Sequence, residues 1–240
     1  MRIGTVKQIW RFAVKSMAGE QLSSCTVSVG GIAGDRGWAI REETSGKLAT
    51  GTRYPLLMQC AARYREQPVN GSIHHVDMRF PDGLMVASDA SDVNARLTEL
   101  LNKPVSLSSL QQDSTAVHYF DMTPIHVLTT ATLAEMSRLN PQANWDVRRF
   151  RPNFFVETEA AFKGLVEFEW LGQTLRVGEV EVQCELPTER CAMAMNAQAE
   201  FPKDESILRS IRDAANMNLG IYARVIRAGA VRVGDLVELI

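Results

Sequence analysis

The sequence predicts a β-rich α+β protein of barrel-like architecture, and three observations carry that expectation. Short apolar runs, several alternating with period two, recur along most of the chain. Turn signals such as Gly34-Asp35-Arg36-Gly37 and Pro81-Asp82-Gly83 separate them. Helical periodicity is confined to a few stretches. Many short strands with few helices fit a barrel better than an alternating βαβ layout.

Taken in order, Ile3, Val6 and Ile9–Val14 predict one or two opening strands, followed by a polar loop at 15–20. Trp38-Ala39-Ile40 starts another strand, and Thr44–Lys47 reads as a hairpin turn into a strand at Leu48–Thr50. Gln59–Tyr64 and Ile73–Phe80 are further short strands. Ser91–Leu101 is a helix capped by Ser91 or Asp92, with Val93, Leu97, Leu100 and Leu101 as its apolar stripe. Residues 106–118 are polar and Ser/Gln-rich, which places a boundary between a first domain at 1–105 and a second at 106–240.

The second half opens with a short strand at Pro124–Leu128. Thr132-Leu133-Ala134-Glu135 matches a capping box at the start of a helix. Asn153–Val156, Leu175–Val177 and Val180–Leu186 read as strands, and Pro187, which cannot donate to a ladder, should end the last of them. Asp204 caps a helix through Ala215, and Ile221–Ile226 and Val231–Ile240 close the chain as strands.

Composition narrows the classes. The 240 residues are 45% hydrophobic and 22% charged with a net charge of −2, so the overall basicity of a nucleic-acid-binding protein is missing. The N-terminal stretch carries Arg2, Lys7, Arg11 and Lys15 and no uninterrupted apolar core, so neither a signal peptide nor a membrane span is expected. Four cysteines without CxxC spacing argue against a disulfide framework, and a reduced cytoplasmic setting is the default.

Three places carry chemistry. In Pro187–Met195 (PTERCAMAM), Cys191 follows a strand and stands beside Arg190, whereas Cys184 falls on the apolar face. A thiol next to a fixed positive charge ionises more readily than one in an apolar core, and the thiolate ligates soft metals or attacks electrophiles; an inert thiol is the plain alternative. Arg148, Arg149 and Arg151, followed by Pro152-Asn153, offer guanidinium forks suited to phosphate or carboxylate, or else a solvated loop paired with Asp146 or Glu157. Lys15-Ser16 suits phosphate, and Arg36 lies between glycines that permit close approach of a ligand. The histidines have no metal-site spacing, and a Cys191–His126 nucleophilic pair stays open.

Several stretches together resemble the MOSC domain proteins, in the form that carries an N-terminal MOSC-associated β-barrel domain. They are Val14-Lys15-Ser16, Gly34–Trp38, Pro124–Leu133, Arg149–Asn153, Pro187–Cys191 and Val231–Asp235, in family order over nearly the whole chain. The amidoxime-reducing component belongs to that group. The resemblance implies a molybdenum cofactor (molybdopterin-bound molybdenum) with Cys191 as ligand to the metal and catalytic centre. It implies that Lys15, Ser16, Arg36 and Arg151 hold the cofactor, with Thr130, Thr132, Arg149 and Asn153 beside them. After Thr50 the family pattern Ala-Arg-x-x-Pro-Arg-Leu reads Gly51-Thr52-Arg53-Tyr54-Pro55-Leu56-Leu57 here, which leaves Arg53 to cover that side of the site. The implied reaction is two-electron reduction of small N-hydroxylated compounds. No cysteine set for an iron–sulfur cluster accompanies these motifs, so electrons are expected from a separate ferredoxin- or cytochrome-like protein. The alternative is a carrier that holds the cofactor, or sulfur on Cys191, without turnover.

Overall fold

A computed structural model describes residues 1–69 and 71–240. In the first half lie β1 (Arg2–Arg11), β2 (Glu20–Leu22), β3 (Ser24–Ser28), β4 (Gly31–Ile32), β5 (Trp38–Glu42), β6 (Ala61–Tyr64), β7 (Val76–Arg79), β8 (Met85–Ala87), α1 (Val93–Leu101) and β9 (Val105–Ser109). In the second half lie β10 (Ile125–Thr129), α2 (Thr130–Leu139), β11 (Phe154–Thr158), β12 (Thr174–Val177), β13 (Val180–Glu189), α3 (Glu205–Ala215), β14 (Asn218–Arg227), β15 (Gly229–Arg232) and β16 (Leu236–Leu239). The β-rich α+β class read from the sequence is the class observed.

Seven strands close a barrel in the order β11-β10-β14-β13-β12-β16-β1, with β1 returning to β11 and β2 attached outside the ring. Strand β1 explains how closure is written locally. Its buried apolar residues Ile3, Val6 and Ile9 are spaced by three rather than two. Register shifts at Arg2/Gly4 against β16 and at Val6/Gln8 against β11 each skip a residue, so the inward face changes parity along the strand. Gly4 is required there: a Cβ would lie 1.9 Å from the Glu157 carbonyl oxygen. Pairs around the ring are antiparallel except β10–β11, whose parallel crossover is made through α2.

The barrel encloses one core that includes Ile125, Val127, Phe154, Leu175, Val182, Cys184 and Ile221. A second core, around Trp38, Ile40, Leu57, Cys60, Met78 and Leu97, lies beneath the β5–β9 and β6–β7–β8 sheets and α1. A third packs α2 and α3 on the barrel through Met136, Trp145, Phe150, Ile207 and Ile211.

Four expectations change. The polar stretch 106–118 begins as β9, paired with β5 from Glu42↔Val105 to Trp38↔Ser109, so a cut after residue 105 falls inside a strand. The strand expected at Leu48–Thr50 reduces to one bridge, Arg41↔Leu48, because the chain turns away to serve the cleft described below. β13 does not stop at Pro187 but runs to Glu189, since bulges at Cys184/Leu186 and Pro187/Glu189 accommodate a residue without an N–H. Helix α2 starts at Thr130, two residues before the expected capping box, with Thr129 as its cap: the Oγ1 accepts from the Thr132 backbone N–H at 3.2 Å.

That cap is completed from outside the helix. The buried Glu167 carboxylate accepts from the Thr129 N–H at 2.7 Å and from the Thr132 hydroxyl. Burial still pushes the Glu167 carboxyl above its ordinary 4.5, against the pull of these donors. The folded chain therefore binds this proton more tightly than the unfolded chain does. The associated stability is complete below the unfolded value and is lost as pH rises through the folded one. Glu167→Gln is expected to flatten the decline in stability as pH rises above about 4.5. Urea denaturation of both proteins across pH 4 to 8 measures it, and parallel curves would show that Glu167 does not titrate in this range.

Candidate functional site

β13 ends at Glu189, and the next two residues point in opposite senses. Arg190 turns inward, its backbone N–H donating to the Met217 carbonyl at 2.7 Å and its Nη2 to the Phe150 carbonyl at 2.8 Å. Cys191 faces out and is the exposed one of four free cysteines. Burial pushes the thiols of Cys25, Cys60 and Cys184 up to about 12, so those three remain protonated. Cys191 is therefore the thiol available for chemistry.

It borders a cleft of about 430 Å³ whose walls carry Lys15, Ser16, Arg36, Arg151 and Arg190. Three of these five hold a left-handed backbone without being glycine: Ser16 at φ 72°, Arg36 at φ 48° and Arg151 at φ 55°. Each such residue costs about 1–2 kcal/mol. Loop contacts hold these residues there. The Arg36 N–H donates to the Phe12 carbonyl at 2.8 Å, and the Phe12 ring lies beneath both guanidiniums, 4.8 Å from Arg36 and 4.1 Å from Arg151. Asp35 pairs with Arg36 and accepts from the Phe12 N–H at 2.8 Å.

The charge balance of the cleft is positive. Lys15 is matched by Asp121 at 2.6 Å and Arg36 by Asp35, while Arg151 and Arg190 bond only carbonyl oxygens among the described residues. Desolvation, with Arg36 adding to it, pushes the Arg151 guanidinium down to about 9. Desolvation also lowers Arg190, whose Nε is buried without a hydrogen-bond partner. A bound anion would relieve both groups. Tyr222 also lines the cleft, and burial and Asp121 raise its phenol above the ordinary value.

One loop joins the two halves at this point. The Gly51 N–H donates to Ser16 Oγ at 2.9 Å, and the Gly51 carbonyl accepts from Asn196 Nδ2 at 3.2 Å. Held from both sides, the loop sets the Thr52 hydroxyl 3.3 Å from Cys191 Sγ as a donor to the sulfur.

Lys15, Ser16, Arg36, Arg151 and Cys191 thus come together as the sequence expected. Asn153 stands one layer behind, its Nδ2 bonding Asp35 at 3.0 Å and its Oδ1 accepting from the His126 N–H at 3.1 Å. Four expected residues lie elsewhere. Arg53 pairs with Glu42 at 2.7 Å and stacks on Tyr54, and Thr52 occupies the place intended for it. Arg149 is wholly buried and donates to the carbonyls of Ala194, Asn196 and Pro202, bracing the segment that follows Cys191. Thr130 bonds Thr158, and Thr132 bonds Glu167, because the start of α2 faces away from the cleft. Arg148 is paired with Asp146 and Glu200.

His126 is not the partner of Cys191. Its ring is buried against Tyr222, with centroids 5.7 Å apart, and burial followed by Arg190 holds it well below the ordinary value. Tyr222 and Asp121 were missed, since only the pairing of β14 with β10 and β13 and the folding back of the 110–124 segment bring them here, and Met193, two residues after Cys191, was passed over as apolar. Among the described residues no three His, Cys, Asp or Glu side chains converge, so a metal at Cys191 would arrive with its other ligands.

A Cβ on Gly51 would stand 2.8 Å from Met58 Cγ and 2.9 Å from Met193 Cε. Gly51→Val is expected to lower stability by about 1–3 kcal/mol through overpacking. By displacing Thr52 it should also change the rate at which iodoacetamide alkylates Cys191. Denaturation midpoints and alkylation rates equal to those of the parent would mean that the loop yields without cost.

Comparison with known proteins places this geometry. The family profile described as MOSC domain matches residues 114–238, and that described as MOSC N-terminal beta barrel domain matches residues 3–123. The YUAD protein of Bacillus subtilis superposes over 100% of this chain and 96% of its own, with 15% identity and a TM-score of 0.52, a shared fold. YiiM of Geobacillus stearothermophilus covers 49% of this chain and 54% of its own, at 16% identity and a TM-score of 0.35. No curated protein matches the sequence. With a barrel of this topology, a thiol at its rim and both profiles spanning the sequence, the chain belongs to the MOSC domain family, in the form with the N-terminal β-barrel domain.

Proposed function

We propose that the cleft binds a molybdenum cofactor through the Cys191 thiolate and that the loaded protein reduces N-hydroxylated compounds. The observation that carries this reading is the excess of desolvated guanidinium around a single accessible thiol. Such a site fits a large anionic cofactor that brings its own metal, and soft thiolate ligation suits molybdenum. The donor set fits in detail. Ser16 Oγ already accepts from Gly51, which leaves its O–H free to donate to a phosphate oxygen beside Lys15 and Arg36. Arg151 and Arg190 line the same cleft and would meet the remaining anionic edge. When bound, the cofactor supplies the two-electron redox chemistry.

The rest is work for this chain's side chains. The net change converts N–OH, two electrons and two protons into N–H and water. Tyr222 carries its proton at neutral pH as any phenol does, burial raising it further, and it lines the same cleft as Cys191. It is assigned the proton delivered to the departing oxygen, with solvent at the open cleft restoring it. Arg151 and Arg190 would hold the anionic groups of the cofactor beside Cys191 and so orient it. Electrons come from a separate ferredoxin- or cytochrome-like protein.

Two outcomes test the reading. Molybdenum analysis of protein from a cofactor-producing host is expected to give near-stoichiometric metal that is lost in Cys191→Ala, with unchanged far-UV circular dichroism. Metal-free parent carrying sulfane sulfur on Cys191 would instead identify a sulfur carrier, a reading favoured by the exposure of that thiol. Tyr222→Phe is expected to keep its molybdenum and lose about 10²-fold in kcat toward an aromatic amidoxime, the usual scale of a general acid. Full kcat in that variant would place the proton elsewhere.

A further inference from the structure

A second cavity, of about 200 Å³, lies on the other side of Arg151. Arg151 is the one residue it shares with the Cys191 cleft. Its remaining walls include Trp10, Phe12 and Met58, which are apolar and flat or pliable, and Arg79 and Gln198, which are polar.

Three features of these walls specify an occupant. Arg79 has no carboxylate partner among the described residues, and the one carboxylate at the cavity, Glu200, is engaged by Arg148 at 2.6 Å. The cavity is therefore left with uncompensated positive charge. Gln198 lines the cavity with its Nε2 buried and without a hydrogen-bond partner, so a turn of the amide toward a ligand oxygen would satisfy it. The position of Gln198 is fixed, because its backbone N–H donates to the Phe201 carbonyl at 3.0 Å and its carbonyl accepts from the Phe201 N–H at 3.1 Å. An indole, a phenyl ring and a thioether together favour a planar ring.

We propose that this cavity is a binding site for a small aromatic carboxylate, separate from the cofactor cleft. The carboxylate meets Arg79 and Gln198, and the ring lies among Trp10, Phe12 and Met58. The volume admits one ring with its acid group.

Trp10 is the reporter. It is half-buried, while Trp38, Trp145 and Trp170 are buried. Benzoate is titrated into the purified protein and followed by calorimetry and by tryptophan emission, with acetate supplying the charge alone and benzamide the ring alone. Benzoate is expected to bind at least tenfold more tightly than either. Gln198→Leu and Arg79→Met are each expected to weaken it at least tenfold while melting within a few degrees of the parent, and Trp10→Phe to abolish the emission change. Benzoate affinity equal to that for acetate would overturn the proposal, as would parental affinity in either polar variant. Loss of benzoate binding on loading with molybdenum cofactor would also overturn it, by making the cavity part of the cofactor cleft.

Discussion

Positive charge held out of water without its counter-ion is the constraint on which the site depends. A guanidinium is tolerated in a desolvated setting only when carbonyls, aromatic faces or a bound anion replace the water it loses. Here Phe12 serves Arg36 and Arg151 from below, and carbonyls of Met17 and Phe150 take one donor each from Arg151 and Arg190. Arg190 Nε is left buried with no partner. The left-handed backbone at Ser16, Arg36 and Arg151 belongs to the same arrangement, since each tight turn brings a donor to the cavity wall at a local cost that the surrounding hydrogen bonds sustain.

The barrel converts these local devices into one place. β1 delivers Lys15 and Ser16 just past its end, β11 is preceded by Arg151, and β13 is followed by Arg190 and Cys191. All three strands belong to the same closed ring, so residues distant in sequence are fixed to a common rim. Between the smaller sheets lies the Gly51–Thr52 loop, which alone among the described residues hydrogen-bonds the sulfur of Cys191. Neither half of the chain owns the site.

Much of this was legible in the sequence. The turn at Gly34–Gly37, the basic run at Arg148–Arg151 and the thiol after a strand each announce themselves by residue type, and Cys184 reads as core by alternation alone. Direction was not legible. Arg149 and Arg151 are two residues apart, yet one braces buried carbonyls and the other faces the cleft, because Arg151 sits in a left-handed turn that no pattern of residue types reveals. Arg53 and Thr52 exchange expected places for the same reason, as the tight grip on Gly51 decides which neighbour points inward. Tyr222 depended on strand pairing across the barrel, which sequence does not display.

Barrel closure also sets a biosynthetic order. Within the ring β1 finds its neighbours in β11 and β16, with Gly4 opposite Thr158 on one side and Val237 on the other, while its last residues, Ile9 to Arg11, pair locally with β2. As the chain is made, the Arg2–Gln8 part of β1, with Ile3 and Val6, stays unpaired until β11 and β16 have emerged. Such long-range closure is slow and leaves a strand edge open to other chains in the meantime. Lys15 and Ser16 follow that waiting strand, so the cleft has no existence in a partly made chain. Whatever fills it enters once the barrel has closed.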